Sequence, residues 1–384
     1  GLGGHLREGE AHGVDPLDII HSHGADAMRF TLAQMTTQTQ DVRMPVERDP
    51  ATGRNTSPKF DAGRNFCNKL WNAARFALNL LEDAAPPALP IDPEELSLTD
   101  RWMLSRVARA TKQINDALKS YEFKTYADAA YDLLWRDFCD WYLEAIKPTV
   151  RDDSEAGQRQ RAVLRVTLDA ILRLLHPITP FITESIHERL RTLPMPEING
   201  FHFASTKSDA TLCQSGWPAP DATLLDEPAE EAMARVRTLV DAIRQVRALR
   251  QVPPKRQIVL HTSAALAADC ARWSPLIETL AGVREIGSVD TDSDTDASAT
   301  PFSFEGAEHR LGDLADAADA GAERDRLTKQ IADLDKSIGA LDKRLSNPGY
   351  TDKAPAKLVE ESRAQLATLK ADRDAAQRSL DALA

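Results

Sequence analysis

The sequence has 384 residues, with 47 lysines and arginines against 59 aspartates and glutamates, so its formal net charge is −12. This length suits two or three domains of roughly 100–200 residues each. Hydrophobic residues make up 42% of the chain, yet no apolar run reaches the roughly 18 residues of a membrane-spanning helix. The first residues show no basic segment followed by an apolar one, so we expect a cytoplasmic protein without a secretory signal or membrane association.

The segment 60–190 has apolar residues at helical spacing, which predicts a bundle of helices. The first helix is expected at 62–82, with one apolar face formed by Phe66, Leu70, Ala74, Ala77 and Leu81. Its opposite face carries Asn65, Asn68, Asn72, Arg75 and Asn79. Asparagine is a poor helix former, and its amide both donates and accepts hydrogen bonds, so this stripe suits reading of nucleotide bases. The alternative is that these amides bond to neighbouring helices inside the bundle.

Further helices are expected from Thr99, as the capping residue, to Leu118, around 131–142, over 157–175, and after Pro180. Aromatic residues are concentrated in the segment 131–142. We interpret these aromatic residues as core, with a surface for stacking bases as the alternative.

The segment 235–256 contains seven basic residues and one acidic residue, so the overall acidity conceals a basic amphipathic helix. Arginines on such a helix are either solvated or available to phosphates. Two short β-branched runs, at 257–262 and 283–289, flank a helix near 265–281, and together they predict a small α/β unit that resumes at 302–304. The stretch 290–300 contains only Asp, Thr, Ser and Ala, which indicates an acidic loop or linker.

The last sixty residues show two heptad patterns. Leu327, Ile331, Leu334, Ile338, Leu341 and Leu345 recur at alternating spacings of four and three, and a second seam runs from Val359 to Leu383. Turn residues at 346–349 separate the two seams, which predicts an antiparallel coiled-coil hairpin. The fold class is therefore mainly α: a helical bundle, a small α/β unit and a C-terminal coiled-coil hairpin.

Motifs that carry chemistry are few. The sequence contains no glycine-rich phosphate loop, no HExxH and no G-x-S-x-G element. His21 and His23 lie near Asp18 and Asp26, but this spacing is a weak signal for a metal site, and the four scattered cysteines form no CxxC pair. We therefore assign no catalytic residue and no metal ligand.

Several segments resemble one family. The segment 13–33 is similar to the region that follows the second ATP-binding signature of class I aminoacyl-tRNA synthetases. The run from Arg64 to Phe76, RNFCNKLWNAARF, resembles valyl-tRNA synthetases at the entry to their anticodon-binding domain. The segments DFCDWYLE at 137–144, LHPITPFITE at 175–184 and LSNPG at 345–349 also fit this family, the last at the turn of its C-terminal coiled-coil arm.

This resemblance implies four regions. Residues 1–59 would be a remnant of the catalytic and stem-contact region, 60–220 the helical-bundle anticodon-binding domain, 221–310 the small α/β unit with its acidic loop at 290–300, and 311–384 the linker and the tRNA-binding arm. The implied function is to contribute anticodon and tRNA-elbow recognition to the ATP-dependent attachment of valine to its tRNA. The candidate tRNA-binding residues are Arg64, Asn65, Asn68, Lys69, Asn72, Arg75, Arg244, Arg247, Lys336, Lys343, Arg344, Lys353 and Lys357.

Both ATP-binding signatures of the class and the editing domain have no counterpart in this sequence. By resemblance the enzyme is a valine-tRNA ligase, but we expect these residues alone to be inactive, to hold no cofactor, and to leave ATP and Mg²⁺ to a catalytic domain. The expected partner is valine-specific tRNA, and the expected state is a monomer. The alternative is a non-catalytic adaptor or RNA-binding module that docks a separate catalytic chain.

Overall fold

The computed structural model describes residues 14–37, 43–50, 52–82, 90–204, 210–288, 299–314, 317–346 and 356–381. The chain divides into two compact units, one formed by 1–241 with 273–281 and the other by 242–272 with 282–384. Helices dominate both the bundle and the arm, which confirms the mainly α prediction. No helix within the described ranges is long and apolar enough to cross a bilayer.

The first unit begins with two short helices, α1 (Pro16–His23) and α2 (Ala25–Met35), followed by a small hairpin of β1 (Glu47–Arg48) and β2 (Asn55–Thr56). Asp15 caps α1 by accepting a hydrogen bond from the Leu17 amide at 2.8 Å. The long helix α3 (Lys59–Leu81) then packs against α2. The two helices approach closely at Gly63, where a Cβ atom would lie 2.3 Å from the Ala27 carbonyl oxygen.

Five further helices complete the bundle: α4 (Leu98–Lys119), α5 (Phe123–Tyr131), α6 (Leu143–Ile146), α7 (Glu155–Leu175) and α8 (Pro180–Leu190). A π-helical segment, Asp132–Tyr142, joins α5 to α6. The helix cap predicted at Thr99 is wrong. Ser97 caps α4 instead, because its hydroxyl accepts from the Asp100 amide at 3.2 Å and donates to the Asp100 carboxylate, whereas Thr99 is buried in the first turn.

The core of the bundle surrounds α7, in which every residue from Ala162 to Leu175 is buried. A helix that is apolar nearly all round belongs in the centre of a bundle. The buried charged residues of this helix pair with one another. Asp169 accepts hydrogen bonds from Arg165 at 2.7 Å and from Arg173 at 2.5 Å, which neutralises part of their charge. Trp102, Phe138 and Tyr142 are also fully buried within the bundle.

Helix α9 (Glu227–Leu249) contains the boundary between the two units. Its first half is tied to the bundle by ion pairs. Glu230 binds Arg109 at 3.0 Å and Arg106 at 3.2 Å, and Arg237 binds Asp137 at 3.2 Å.

The second unit contains a four-stranded sheet in the order β4-β3-β6-β5. The strands are β3 (Ile258–Thr262), β4 (Val283–Ser288), β5 (Thr300–Phe304) and β6 (Ala307–Gly312), and helix α10 (Ala264–Ala281) connects β3 to β4. Strands β3 and β4 are parallel, and β6 is antiparallel to both β3 and β5. The sequence predicted the first three strands but not β6. Most of the predicted acidic loop, 290–298, lies outside the described residues, and Thr300 already begins β5.

The arm consists of α11 (Ala317–Leu345) and α12 (Ala356–Asp381), which pack along each other as the two heptad seams predict. The seam residues Ile331, Leu334, Ile338, Leu341 and Leu345 are half-buried, and Val359 on α12 is buried. Arg373 of α12 also occupies a seam position and binds Asp335 of α11 at 3.2 Å. The coiled-coil prediction is therefore confirmed for the described part of the arm.

Candidate functional site

The polar stripe predicted on α3 lies on its exposed face. Asn65, Asn68, Asn72, Arg75 and Asn79 are all exposed, whereas the apolar residues on the opposite face are buried. Within the described parts of the chain, none of these five side chains has a hydrogen-bond or ion-pair partner. The alternative, in which the amides bond inside the bundle, is therefore wrong for these residues. We call these five residues the amide face.

Two basic residues border the amide face, and both have acidic partners. Arg64 binds Asp61 at 2.5 Å and Lys69 binds Asp140 at 2.8 Å. Partial burial is the largest single effect and lowers the pKa of Lys69, but the hydrogen bond from its ammonium group to Asp140 and the negative charge nearby together raise the pKa above its usual value. Ion pairs on a surface contribute little to stability, so either cation can exchange its carboxylate for a phosphate.

A column of aromatic rings leads from the core to the edge of this surface. Phe30 stacks on Phe66 at 3.9 Å between ring centroids, Phe66 is 5.7 Å from Tyr131, and Tyr131 stacks on Trp135 at 5.4 Å. The Lys69 ammonium lies 5.0 Å from the centre of the Trp135 ring. Most of the aromatic segment is core as predicted, because Phe138, Trp141 and Tyr142 are buried, while Trp135 is half-buried.

Trp71 belongs to the same exposed surface of α3 and was not predicted as a site residue. Its side chain is 45% exposed, and it follows Asn68 by three residues and precedes Arg75 by four, so it neighbours both on the helix surface. A tryptophan on the polar side of an amphipathic helix was the available signal. It places a ring suited to stacking beside the amides.

The basic stretch does not form one continuous cationic surface. Arg247 is 9% exposed, and its guanidinium donates to the carbonyl oxygens of Arg256 at 3.0 Å and Pro253 at 2.8 Å. Burial also lowers the pKa of Arg247. Its prediction as a tRNA-binding residue is corrected, because this side chain holds the loop that precedes β3. Arg244 is exposed.

The described basic residues of the arm lie on its surface. Lys336, Lys343 and Arg344 are exposed. Lys329 is exposed too and was missed, although it precedes Lys336 by the same seven residues that separate Lys336 from Lys343. At 1.5 Å per residue, this heptad spacing sets the three lysines at intervals of about 10.5 Å along one line. We call Lys329, Lys336 and Lys343 the lysine ridge. Lys353 and the side chain of Lys357 lie outside the described residues.

The histidines near the start of the chain do not converge on a metal site. His23 lies 3.5 Å from Asp61, and Asp26 accepts from the backbone amides of Phe181 at 3.3 Å and Ile182 at 2.6 Å. Asp26 thus accepts hydrogen bonds from backbone amides in the first turn of α8. Among the described residues, no group of three His, Cys, Asp or Glu side chains is placed to hold a metal ion.

Comparison with known proteins identifies two regions of the chain. Residues 100–262 match the family described as the anticodon-binding domain of tRNA ligase, and residues 319–384 match the valyl tRNA synthetase tRNA binding arm. The helical bundle and the arm therefore each match a tRNA-binding domain of aminoacyl-tRNA synthetases.

The curated relatives that match the chain are valine–tRNA ligases. The valine–tRNA ligase of Rhodopirellula baltica is 34% identical over 98% of this chain and 40% of its own length. That of Thermotoga maritima is 33% identical over 93% of this chain and 37% of its own length. Over nearly its whole length the chain is similar to valyl-tRNA synthetases, and it matches their C-terminal portion. It spans about two fifths of the length of these relatives.

Proposed function

We propose that this chain binds tRNA through the amide face of α3 and through the lysine ridge of the arm. In this proposal it contributes recognition of the anticodon and the tRNA elbow to the ATP-dependent attachment of valine to valine-specific tRNA. The adenylate-forming and editing chemistry, with ATP and Mg²⁺, would belong to domains that have no counterpart in this sequence. The chain would act as a monomer in the cytoplasm.

The amide face is the observation that carries the proposal. Four asparagines and Arg75 are exposed on one helix without partners among the described residues. Such a stripe costs helix stability that Glu, Lys or Gln would not, and the bundle gains no contact from it. Unpaired anticodon bases expose Watson–Crick edges that amides can bind, and Trp71 offers a ring on which a base can stack.

The lysine ridge supports the second contact. Lys370 on the facing helix is paired with Asp342 at 3.6 Å, and Arg373 with Asp335 at 3.2 Å. Asp342 and Asp335 are therefore already paired with basic side chains of the facing helix. The ridge lysines, in contrast, share one heptad position and are exposed to solvent. Evenly spaced ammonium groups suit contact with a phosphate backbone rather than with particular bases.

The test is a titration of labelled valine tRNA and of the same tRNA with an exchanged anticodon. We expect wild-type protein to prefer the valine anticodon, and Asn68→Ala and Asn72→Ala to reduce this preference about 5- to 100-fold, the value of one or two base contacts. Gln113→Ala, which removes an exposed amide from α4, is the matched control and should leave the preference unchanged. Equal affinity of wild-type protein for both tRNAs would remove anticodon reading from the proposal.

A second candidate function is docking of a separate catalytic chain. Leu17 is 62% exposed, and Leu32 and Val46 are also exposed in the segment that precedes the bundle. Exposed apolar residues of this kind are typical of a surface that another domain covers. If Leu17→Ser abolishes binding of a separately expressed catalytic half while wild-type protein binds no tRNA, the adaptor function is the correct one.

A further inference from the structure

Helix α4 ends, before α5, with a tyrosine at a position where helices usually have glycine. The Glu122 amide donates to the Ala117 carbonyl oxygen at 2.8 Å, and the Tyr121 amide donates to Leu118 at 3.2 Å. These two bonds define a Schellman motif, whose left-handed residue is usually glycine. Here that residue is Tyr121, with φ of 57°, so the helix ends in a conformation that is less stable for tyrosine than for glycine.

The fold gains no visible compensation for this tyrosine. Its side chain is 78% exposed, and its hydroxyl has no hydrogen-bond partner among the described residues. Phe123, the first residue of α5, is 41% exposed as well, and no side chain caps α5. An exposed aromatic ring that is held in an unfavourable backbone conformation without a structural gain is where a function is expected. We call Tyr121 and Phe123 the aromatic corner.

Cationic side chains flank the aromatic corner, but acids balance them. Lys112 and Lys119 share Asp116 at 2.9 and 3.4 Å, and Lys124 binds Asp128 at 2.5 Å. These pairs are exposed and weak, so the lysines can turn to phosphates when RNA is bound. Because the acids offset most of the positive charge here, ring stacking rather than net charge must supply most of any affinity at this corner.

We propose that the aromatic corner binds unpaired nucleobases of tRNA by stacking. This inference rests on the proposed tRNA binding and adds to it a contact on a different part of the bundle from the amide face. RNA fits better than a protein partner, because a stable protein interface needs roughly 800 Å² per partner with an apolar centre, whereas two rings among three lysines offer much less. Stacking on an aromatic ring tolerates any base, so this contact adds affinity without sequence preference.

The experiment compares Tyr121→Asn, Tyr121→Phe and wild-type protein in binding labelled valine tRNA and a blunt RNA duplex of equal length. Asparagine tolerates the left-handed conformation but removes the ring, whereas phenylalanine keeps the ring. The matched control is Gln251→Asn. Gln251 has φ of 53° in the same motif at the end of α9, where Val252 donates to Arg247 at 2.8 Å.

We expect Tyr121→Asn to bind tRNA about 10-fold more weakly, with unchanged salt dependence, unchanged binding to the duplex and unreduced thermal stability. Tyr121→Phe and Gln251→Asn should bind as wild type does. If wild-type protein binds no tRNA, the proposed function fails and this inference fails with it. If wild-type protein binds tRNA and Tyr121→Asn binds equally well, only the aromatic corner is refuted. The aromatic corner is also refuted as a tRNA contact if Tyr121→Asn weakens only the binding of a separately expressed catalytic half.

Discussion

Arg373 Nε lies 3.2 Å from Asp335 Oδ1, so a charged side chain occupies a seam position of the arm and pairs across the hairpin. Seam positions of coiled coils favour apolar residues, and a polar residue there fixes the register at some cost in stability. A second ion pair across the hairpin joins Lys370 and Asp342, whose charged atoms are 3.6 Å apart. The two pairs hold α12 in one position along α11.

Replacing Arg373 with leucine should stabilise the hairpin, because leucine completes the apolar seam and the lost ion pair is exposed. We expect slower hydrogen exchange of the amides in 328–346, measured by mass spectrometry on the full chain. Asp335→Asn, which removes the pair but keeps the arginine in the seam, should speed exchange slightly, and less so at high salt. Faster exchange in Arg373→Leu would show that the ion pair stabilises the arm more than seam packing does.

Gly63→Ala should destabilise the bundle by about 1–3 kcal/mol, because the packing of α2 on α3 leaves no room for a methyl group. The added Cβ would lie 2.3 Å from the Ala27 carbonyl oxygen and 2.5 Å from Thr31 Oγ1. The matched control is Gly339→Ala in α11, where the added Cβ would meet no atom of another described segment within 4 Å. Alanine there should stabilise the helix by up to about 1 kcal/mol. Urea denaturation of both variants measures the two effects, and equal stability of Gly63→Ala and wild type would contradict the close approach.

The lysine ridge predicts a defined salt dependence. If each of its lysines neutralises one phosphate, Lys336→Gln should reduce the slope of log affinity against log salt by about 0.7–0.9. Lys370→Gln is the control, since Lys370 already has Asp342 as its partner, and it should change the slope less. Affinity of valine tRNA measured at four salt concentrations for the two variants gives the slopes. Equal slopes for wild type and Lys336→Gln would exclude a phosphate contact at Lys336.

Sequence periodicity was enough to predict the two faces of α3 and the seams of the arm, because both depend on neighbours three and four residues away. Features that depend on distant or geometric partners were not predictable in this way. Arg247 has the spacing of a surface arginine, but it binds backbone carbonyls of the loop that follows its helix. Strand β6 is recognised only through its pairing with β3 and β5. The left-handed conformation of Tyr121 leaves no periodic signal in the sequence.

Asp100 predicts a pH dependence of stability. This carboxyl group is buried, and burial raises its pKa to about 6 although the hydroxyl groups of Ser97 and Tyr142 donate to it. Because the folded pKa exceeds the unfolded value of 3.8, the folded state holds its proton more tightly. The protonated Asp100 carboxyl group therefore stabilises the fold fully below the unfolded pKa, and this stabilisation is lost as the pH rises through 6.

Asp100→Asn keeps an acceptor for Tyr142 and cannot ionise, so it removes this dependence. The free energy of unfolding of wild type relative to Asp100→Asn should fall by about 3 kcal/mol between pH 3 and pH 7, from a pKa shift of roughly two units. Asp116→Asn is the control of opposite sign. Hydrogen bonds from Lys112 and Lys119 lower the pKa of Asp116, so its contribution is present at neutral pH and is lost on acidification. Urea titrations at several pH values measure both variants, and a constant difference between wild type and Asp100→Asn would show that Asp100 ionises in the folded protein as it does in the unfolded chain.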